Sequence, residues 1–150
     1  MVWVPVKSDD AVRAAVVLAE AWPSAYVKAD ALAEREQLPL RFLENILADL
    51  RRAEIVHARR GACGGYMLAR SPADISVAAV LGAVGSPLVV EPDAYKSDRV
   101  RAIWNRASAA ATRVFAECSL ADLLGDGAQV VTRAGGSAST ARRRRAVATK

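Results

Sequence analysis

Histidine occurs once in this chain, at His57, and cysteine twice, at Cys63 and Cys118. A lone imidazole gives little basis for a Ser-His-Asp or Cys-His apparatus, so an enzyme is not expected. Two cysteines this far apart in sequence do not make a disulfide framework. With no CxxC, no HxxxH and no third cysteine nearby, they do not make a metal site either. Aromatic residues amount to only 5%, which points to helices packed through small and aliphatic side chains. No apolar run approaches the roughly 18 to 20 residues of a membrane span. The apolar stretch from Ala14 to Ala21 is preceded by Asp9 and Asp10. It lacks the basic flank and small-residue cleavage site of a secretory leader, so a cytoplasmic location without membrane association is expected.

What the chain does have is apolar content of 53%, enough for a packed core, and a net charge of +5 with a pI near 9.7. A basic balance suits a polyanionic partner, but its distribution decides more. Arg142 to Arg145 form a run near the end, and Arg51, Arg52, Arg59, Arg60 and Arg70 cluster around one segment.

Apolar residues at Ala11, Val12, Ala15, Val16, Leu18 and Ala19 predict a helix over 9–21, with Ser8 as N-cap, Asp9 and Asp10 in its first turn, and Pro23 as its stop. In a winged-helix arrangement Val27 would form a very short strand pairing with the hairpin that follows. A helix over 28–35 with Ala31 and Leu32 inward, a turn at Gln37-Leu38-Pro39 and a third helix over 39–53 follow. In that third helix Leu40, Leu43, Leu47 and Leu50 form an apolar stripe widened by Phe42 and Ile46. Ile55 to Ala58 and Tyr66 to Leu68 read as two short strands. Gly61, Gly64 and Gly65 supply the positive φ of the hairpin between them, and the ring of Tyr66 packs on that hairpin. After Ser71-Pro72, residues 75–84 predict a helix ended by Gly85-Ser86-Pro87, and 88–96 a loop. A long helix over 98–116 is capped by Ser97 and Asp98, and Ser119 caps a short LADLL turn. Residues 126–150, poor in large apolar groups, read as a disordered tail.

Two short helices, a turn and a glycine-rich basic hairpin are the layout of a winged helix-turn-helix. The third helix presents Arg41, Glu44, Asn45, Ala48 and Arg51 opposite its stripe. Arg pairs with guanine, Glu accepts from the cytosine amino group, Asn pairs with adenine, and Leu40 suits a thymine methyl. A solvated helix face would look the same in isolation. Arg59 and Arg60 at the mouth of the hairpin suit phosphates or a minor groove, whereas an ordinary surface hairpin would carry them for solubility. Together these residues make Lys28, Leu40, Arg41, Glu44, Asn45, Arg51, Arg59, Arg60, Gly61, Gly64, Gly65 and Tyr66 the candidate DNA-binding set.

The same residues resemble a known family, the Rrf-two winged-helix regulators of the IscR, NsrR and CymR type. The wing of that family reads RGPGGGY, then LAR and a proline. This chain has Arg60-Gly61-Ala62-Cys63-Gly64-Gly65-Tyr66, then Leu68-Ala69-Arg70 and Pro72. LPLRFLENILADLRRAEIV, with Phe42-Leu43-Glu44 intact, is similar to the recognition helix, and ISVAAVLGAVGSPL to the helix after the wing. Trp104 and Leu120-Ala121-Asp122-Leu123 resemble the dimerisation helix and the element after it. The resemblance covers about residues 8–124. It implies a mainly α fold with a small β-wing and a long C-terminal dimerisation helix. It also implies a homodimer on double-stranded DNA at a near-palindromic operator, usually repressing transcription. Val100, Ile103, Trp104, Ala107, Ala111 and Val114 would form the dimer stripe.

The expected organisation is a DNA-binding domain over 1–86, a dimerisation region over 87–125 and a basic tail over 126–150, whose arginines either add nonspecific DNA affinity or are simply solvated. Two departures from the family stand out. Ala62-Cys63 replace proline and glycine in the wing, which makes Cys63 either a redox-active thiol or drift at a tolerant position. The three cysteines that sensing members carry before the dimer helix are missing, since residues 86–103 contain none, so a cysteine-ligated iron–sulfur cluster is not expected. Cys118 lies too late to replace them and reads as a structural thiol. An effector, small molecule or protein, stays unnamed. The rival to a DNA-binding regulator is a winged helix used as a protein-interaction module, silent toward DNA without a partner.

Overall fold

The computed structural model describes residues 5–86 and 97–125. The expectations for the 88–96 loop and the 126–150 tail lie outside the described residues.

Helix α1 (Val6–Ala21) carries the small-residue half of the core, with Ala11, Ala14, Ala15, Val17, Leu18 and Ala19 buried. It starts three residues earlier than its sequence suggests. Pro5 is the N-cap, and its carbonyl accepts from Ser8 N at 2.9 Å and Asp9 N at 3.2 Å. Ser8 is therefore not a cap but a buried residue inside the helix, and its Oγ donates to Ser86 Oγ at 2.7 Å. Asp10, once the helix begins at Val6, lies beyond the first turn; it is buried and held by Arg13 at 3.1 Å instead of serving the helix dipole.

Helix α2 (Ala29–Glu36) buries Leu32 and Ala33, while Ala31 faces out, so the inward pair is shifted by one from expectation. Gln37 ends the helix in the left-handed region at φ 56, and Leu38 N donates back to Ala33 O at 2.9 Å. That turn delivers the chain to α3 (Leu40–Arg52). Leu43, Ile46, Leu47 and Leu50 of α3 are all 0% exposed, Phe42 is half-buried and Leu40 is 42% exposed. Leu40 thus falls outside the stripe: it is the first helical residue, beyond the edge of the packed surface. α3 has no side-chain cap and is short enough to be marginal alone, so its stability comes from burying that stripe, about 1.5–3 kcal/mol per large side chain.

Two strands, β1 (Val56–Arg59) and β2 (Gly65–Leu68), pair antiparallel with Val56 opposite Leu68 and Arg59 opposite Gly65. Val27 adds the expected third edge as a single antiparallel bridge to Tyr66, and Tyr66 itself packs against the core. The predicted 75–84 helix forms but is shorter at both ends, covering Val77–Ala83. A 3-10 turn at Pro72–Asp74 comes first, then α4 (Val77–Ala83) begins at Ser76, whose Oγ accepts from Ala79 N at 3.1 Å. Ser76 wins as the cap because Ile75 is extended and buried beneath it.

The 20-residue α5 (Asp98–Glu117) has Asp98 in its first turn, but the side chain of Ser97 makes no cap hydrogen bond. Not one of its residues is buried. Its foot is tied down where Val77 N donates to Cys118 O at 2.8 Å and Leu120 N to Ile75 O at 2.9 Å. Helix α6 (Leu120–Leu124) follows with the expected Ser119 cap, completed by Asp122 into a reciprocal capping box, and Leu120 enters the core.

An ion pair across the core edge fixes α3 against α1: Lys7 Nζ donates to Asp49 Oδ2 at 2.8 Å, and Arg52 holds the other oxygen at 2.8 Å. The Lys7 hydrogen bond, assisted by Arg52 and opposed by partial burial, holds the Asp49 carboxyl below its ordinary value. A carboxyl depressed in the folded state stabilises the fold above its unfolded pKa of about 4 and ceases to as pH falls through the folded value. Asp49→Asn should therefore flatten the acid limb of the stability curve below about pH 4 and lower stability at neutral pH, checked by urea unfolding across pH. An unchanged acid limb would mean that the pair contributes nothing.

Candidate nucleic-acid interface

Because one face of α3 is wholly buried, its other face is fixed outward. Leu40, Arg41, Glu44, Asn45, Ala48 and Arg51 are all exposed along it. The wing stands beside this face, and its position follows from local backbone chemistry. Val27 N donates to Tyr66 O at 2.9 Å and Tyr66 N to Val27 O at 2.8 Å, so the segment leading into α2 is also the third edge of the wing. Gly65 makes this approach possible. Its φ is +142, and a Cβ there would lie 2.4 Å from Val27 O. Gly61 turns the chain at φ +104 with open space around it. Gly64 differs from expectation, since it is not among the positive-φ glycines. Its requirement is steric: a Cβ would meet Arg59 O at 2.1 Å.

The two wing arginines are not equivalent. The Arg59 guanidinium donates to Cys63 O at 2.7 Å and lies over the Tyr26 ring, 4.5 Å from its centroid. It braces the turn, by a cation–π contact that adds about 0.5–1 kcal/mol at an exposed site. Arg60 projects from the turn with Cys63 exposed beyond it. Tyr26 is a residue the sequence reading missed. Its signal was its place next to Val27, the residue that pairs with the wing.

Charge pairing separates the cations of this surface from those on α1 and α2, though not from most of those on α5. Lys7, Arg13, Arg35, Arg52 and Arg101 each bind a carboxylate. Among the described residues, Lys28, Arg41, Arg51, Arg60 and Arg70 have no ion pair; on α5 the same holds for Arg99, Arg106 and Arg113. Arg52, close to the motif in sequence, turns away to Asp49. Along α5, Val100, Ile103, Trp104, Ala107 and Val114 are exposed and Ala111 is half-buried.

A model of the family described as Rrf2, iron-dependent transcriptional regulator, matches residues 5–126. The chain belongs to the Rrf2 family. It is 37% identical over 127 residues to the Mycobacterium tuberculosis protein Rv1287, described as an HTH-type transcriptional regulator, with 79% of each chain covered. The Synechocystis regulator slr0846 is 37% identical over 103 residues, covering 64% of this chain and 69% of that one. Among solved structures, T. potens IscR superposes with a TM-score of 0.72 at 30% identity over 82% of this chain and 86% of its own. The global cysteine regulator CymR of B. subtilis superposes at 0.71 with 25% identity, covering 83% and 97%. This Rrf2 chain is thus a winged helix-turn-helix transcriptional regulator, with α2 and α3 as the helix-turn-helix and β1–β2 as the wing.

The iron in the family description meets a poor donor set here. A cluster held by three cysteines needs more thiols than the two in this chain. Cys63 lies on the wing turn and Cys118 at the end of α5, where burial, with the Asp122 carboxylate adding to it, pushes the thiol pKa up and favours the protonated form. Among the described residues no three His, Cys, Asp or Glu side chains are grouped to hold a metal. The residues described do not fit an iron–sulfur cluster of that kind.

The backbone geometry generates a test. Gly65→Ala must break either the Val27–Tyr66 bridge or the turn and should cost more than about 1 kcal/mol. Gly82→Ala, at a helical position where a Cβ meets nothing within 4 Å, should be neutral or stabilising. Thermal unfolding of the two variants checks this, and equal melting temperatures would contradict it.

Proposed function

We propose that this chain is a homodimeric, sequence-specific DNA-binding repressor that works without a cysteine-ligated iron–sulfur cluster. The observation that carries the reading is the side-by-side placement of an outward polar face on α3 and a basic wing whose projecting cations hold no carboxylate. Cations left unpaired on one surface are free to exchange their counterions for phosphates. In this reading Arg41, Glu44 and Asn45 read base edges, Leu40 contacts a thymine methyl, and Lys28, Arg51 and Arg60 bind backbone or minor groove. Gly61, Gly64 and Gly65 keep the wing thin enough to approach the duplex. Tyr66 anchors the wing to its third edge, and Arg59 supports Arg60 by stiffening the turn. Cys63 has no assigned part: Arg59 bonds its main-chain oxygen and not its thiol.

The dimer reading is supported by α5. An amphipathic helix of 20 residues with none buried, and with Val100, Ile103 and Val114 between 43% and 56% exposed, is a face that a second copy would cover. Dimer symmetry then requires two half-sites in the operator.

Selection of bound fragments from genomic DNA should return a short palindrome. On that duplex Arg60→Ala should weaken binding to all sequences and reduce the salt slope by about one unit, whereas Glu44→Ala should mainly relax specificity. Binding untouched by either change would mean the reading head is misplaced, and no enriched sequence would favour a protein-interaction module. Separately, Ile103→Asp should sediment as a monomer and lose operator affinity; a dimer of unchanged mass would remove α5 from the interface.

A further inference from the structure

Arg70 and His57 lie outside both the polar face of α3 and the turn of the wing. They meet at the foot of the hairpin, in a groove of about 550 Å3 between the end of α3 and the wing strands, whose polar lining is Arg51, Glu54, His57 and Arg70. The backbone explains the convergence. Ala69 N donates to Ile55 O at 2.9 Å, which brings Arg70 alongside Glu54, and Glu54 N donates to Arg51 O at 3.0 Å as the chain leaves the helix at φ 57. His57 is the second residue of β1, opposite Met67. Arg51, His57 and Arg70 are all exposed. Neither arginine forms an ion pair with any described carboxylate, although Glu54 lines the same groove.

We propose that this groove seats the sugar–phosphate strand that separates the DNA groove read by α3 from the groove entered by the wing. Arg51 and Arg70 are its phosphate contacts, and His57 is a hydrogen-bonding partner. The inference rests on the DNA-binding reading, keeps the backbone role that reading gives Arg51, and extends it to His57 and Arg70, which it leaves idle. A duplex engaged by a helix in one groove and a hairpin in the next must pass one backbone strand between them. The cleft between those two elements is therefore where phosphates have to lie. Two cations against one carboxylate leave the cleft net positive. Glu54 acts against the contact, so its removal should strengthen binding, an effect of opposite sign to the loss of Arg70.

The test uses the full chain, the best duplex from the genomic selection and a shuffled duplex, at several salt concentrations. Arg70→Gln should weaken binding to both duplexes by a similar factor and reduce the salt slope by about 0.9. Glu54→Gln should tighten binding to both. Both variants should keep the wild-type circular dichroism spectrum, since the positions are exposed. Wild-type affinity and slope in both variants, with the wild-type chain binding the selected duplex, would overturn the groove assignment alone. A wild-type chain that binds no duplex at any salt would overturn the DNA reading and this assignment together.

Discussion

Complete burial of one face of α3 is the constraint from which the rest of the molecule follows. Leu43, Ile46, Leu47 and Leu50 have no exposed surface, and truncating such a side chain costs about 2–5 kcal/mol. The helix has no side-chain cap to hold it, so its rotation about its own axis is set by that stripe. Once the rotation is set, Arg41, Glu44 and Asn45 can only face away from the core. The Lys7–Asp49–Arg52 cluster then fixes the flank of α3 against α1. The outward polar face of α3 is thus a by-product of packing, positioned by residues on the opposite side of the helix.

The wing depends on the same helix by a different route. Ile55 and Val56 are buried directly after α3 ends, which starts β1 at a fixed place. Glycine decides where β2 returns. Gly65 allows two backbone bonds to Val27 in a space no side chain could share, and Gly64 clears the carbonyl of Arg59. In this way the segment before α2, the hairpin and the end of α3 form one continuous surface.

Much of this was legible in the sequence where a period or a compulsory backbone conformation speaks. The α3 stripe and its polar opposite, the Ser119 cap and the long amphipathic α5 all follow from local rules, while the Val27 edge follows from the winged-helix layout. What was not legible depends on partners far away in sequence. Ser8 looks like a cap, but a partner 78 residues on takes its hydroxyl inside the helix. Asp49 looks like one more solvated acid, but it meets Lys7 42 residues before it. Arg59 and Arg60 are neighbours of one type, and the ring of Tyr26 and the carbonyl of Cys63 distinguish a brace from a projecting cation. Helix edges also slipped: Leu40 belongs to the apolar period, yet the core ends before reaching it.

The wing is held by two main-chain bonds to Val27 and by a guanidinium locked between a carbonyl and an aromatic ring. An arm fastened this way loses its conformational freedom when the chain folds and not when it meets a target. Preorganisation of that sort moves the entropy of ordering out of the recognition step. Under the proposed DNA reading, the spacing between helix and hairpin would act as a ruler that the duplex must match, and discrimination would arise from the shape of the double helix as well as from the identity of its bases.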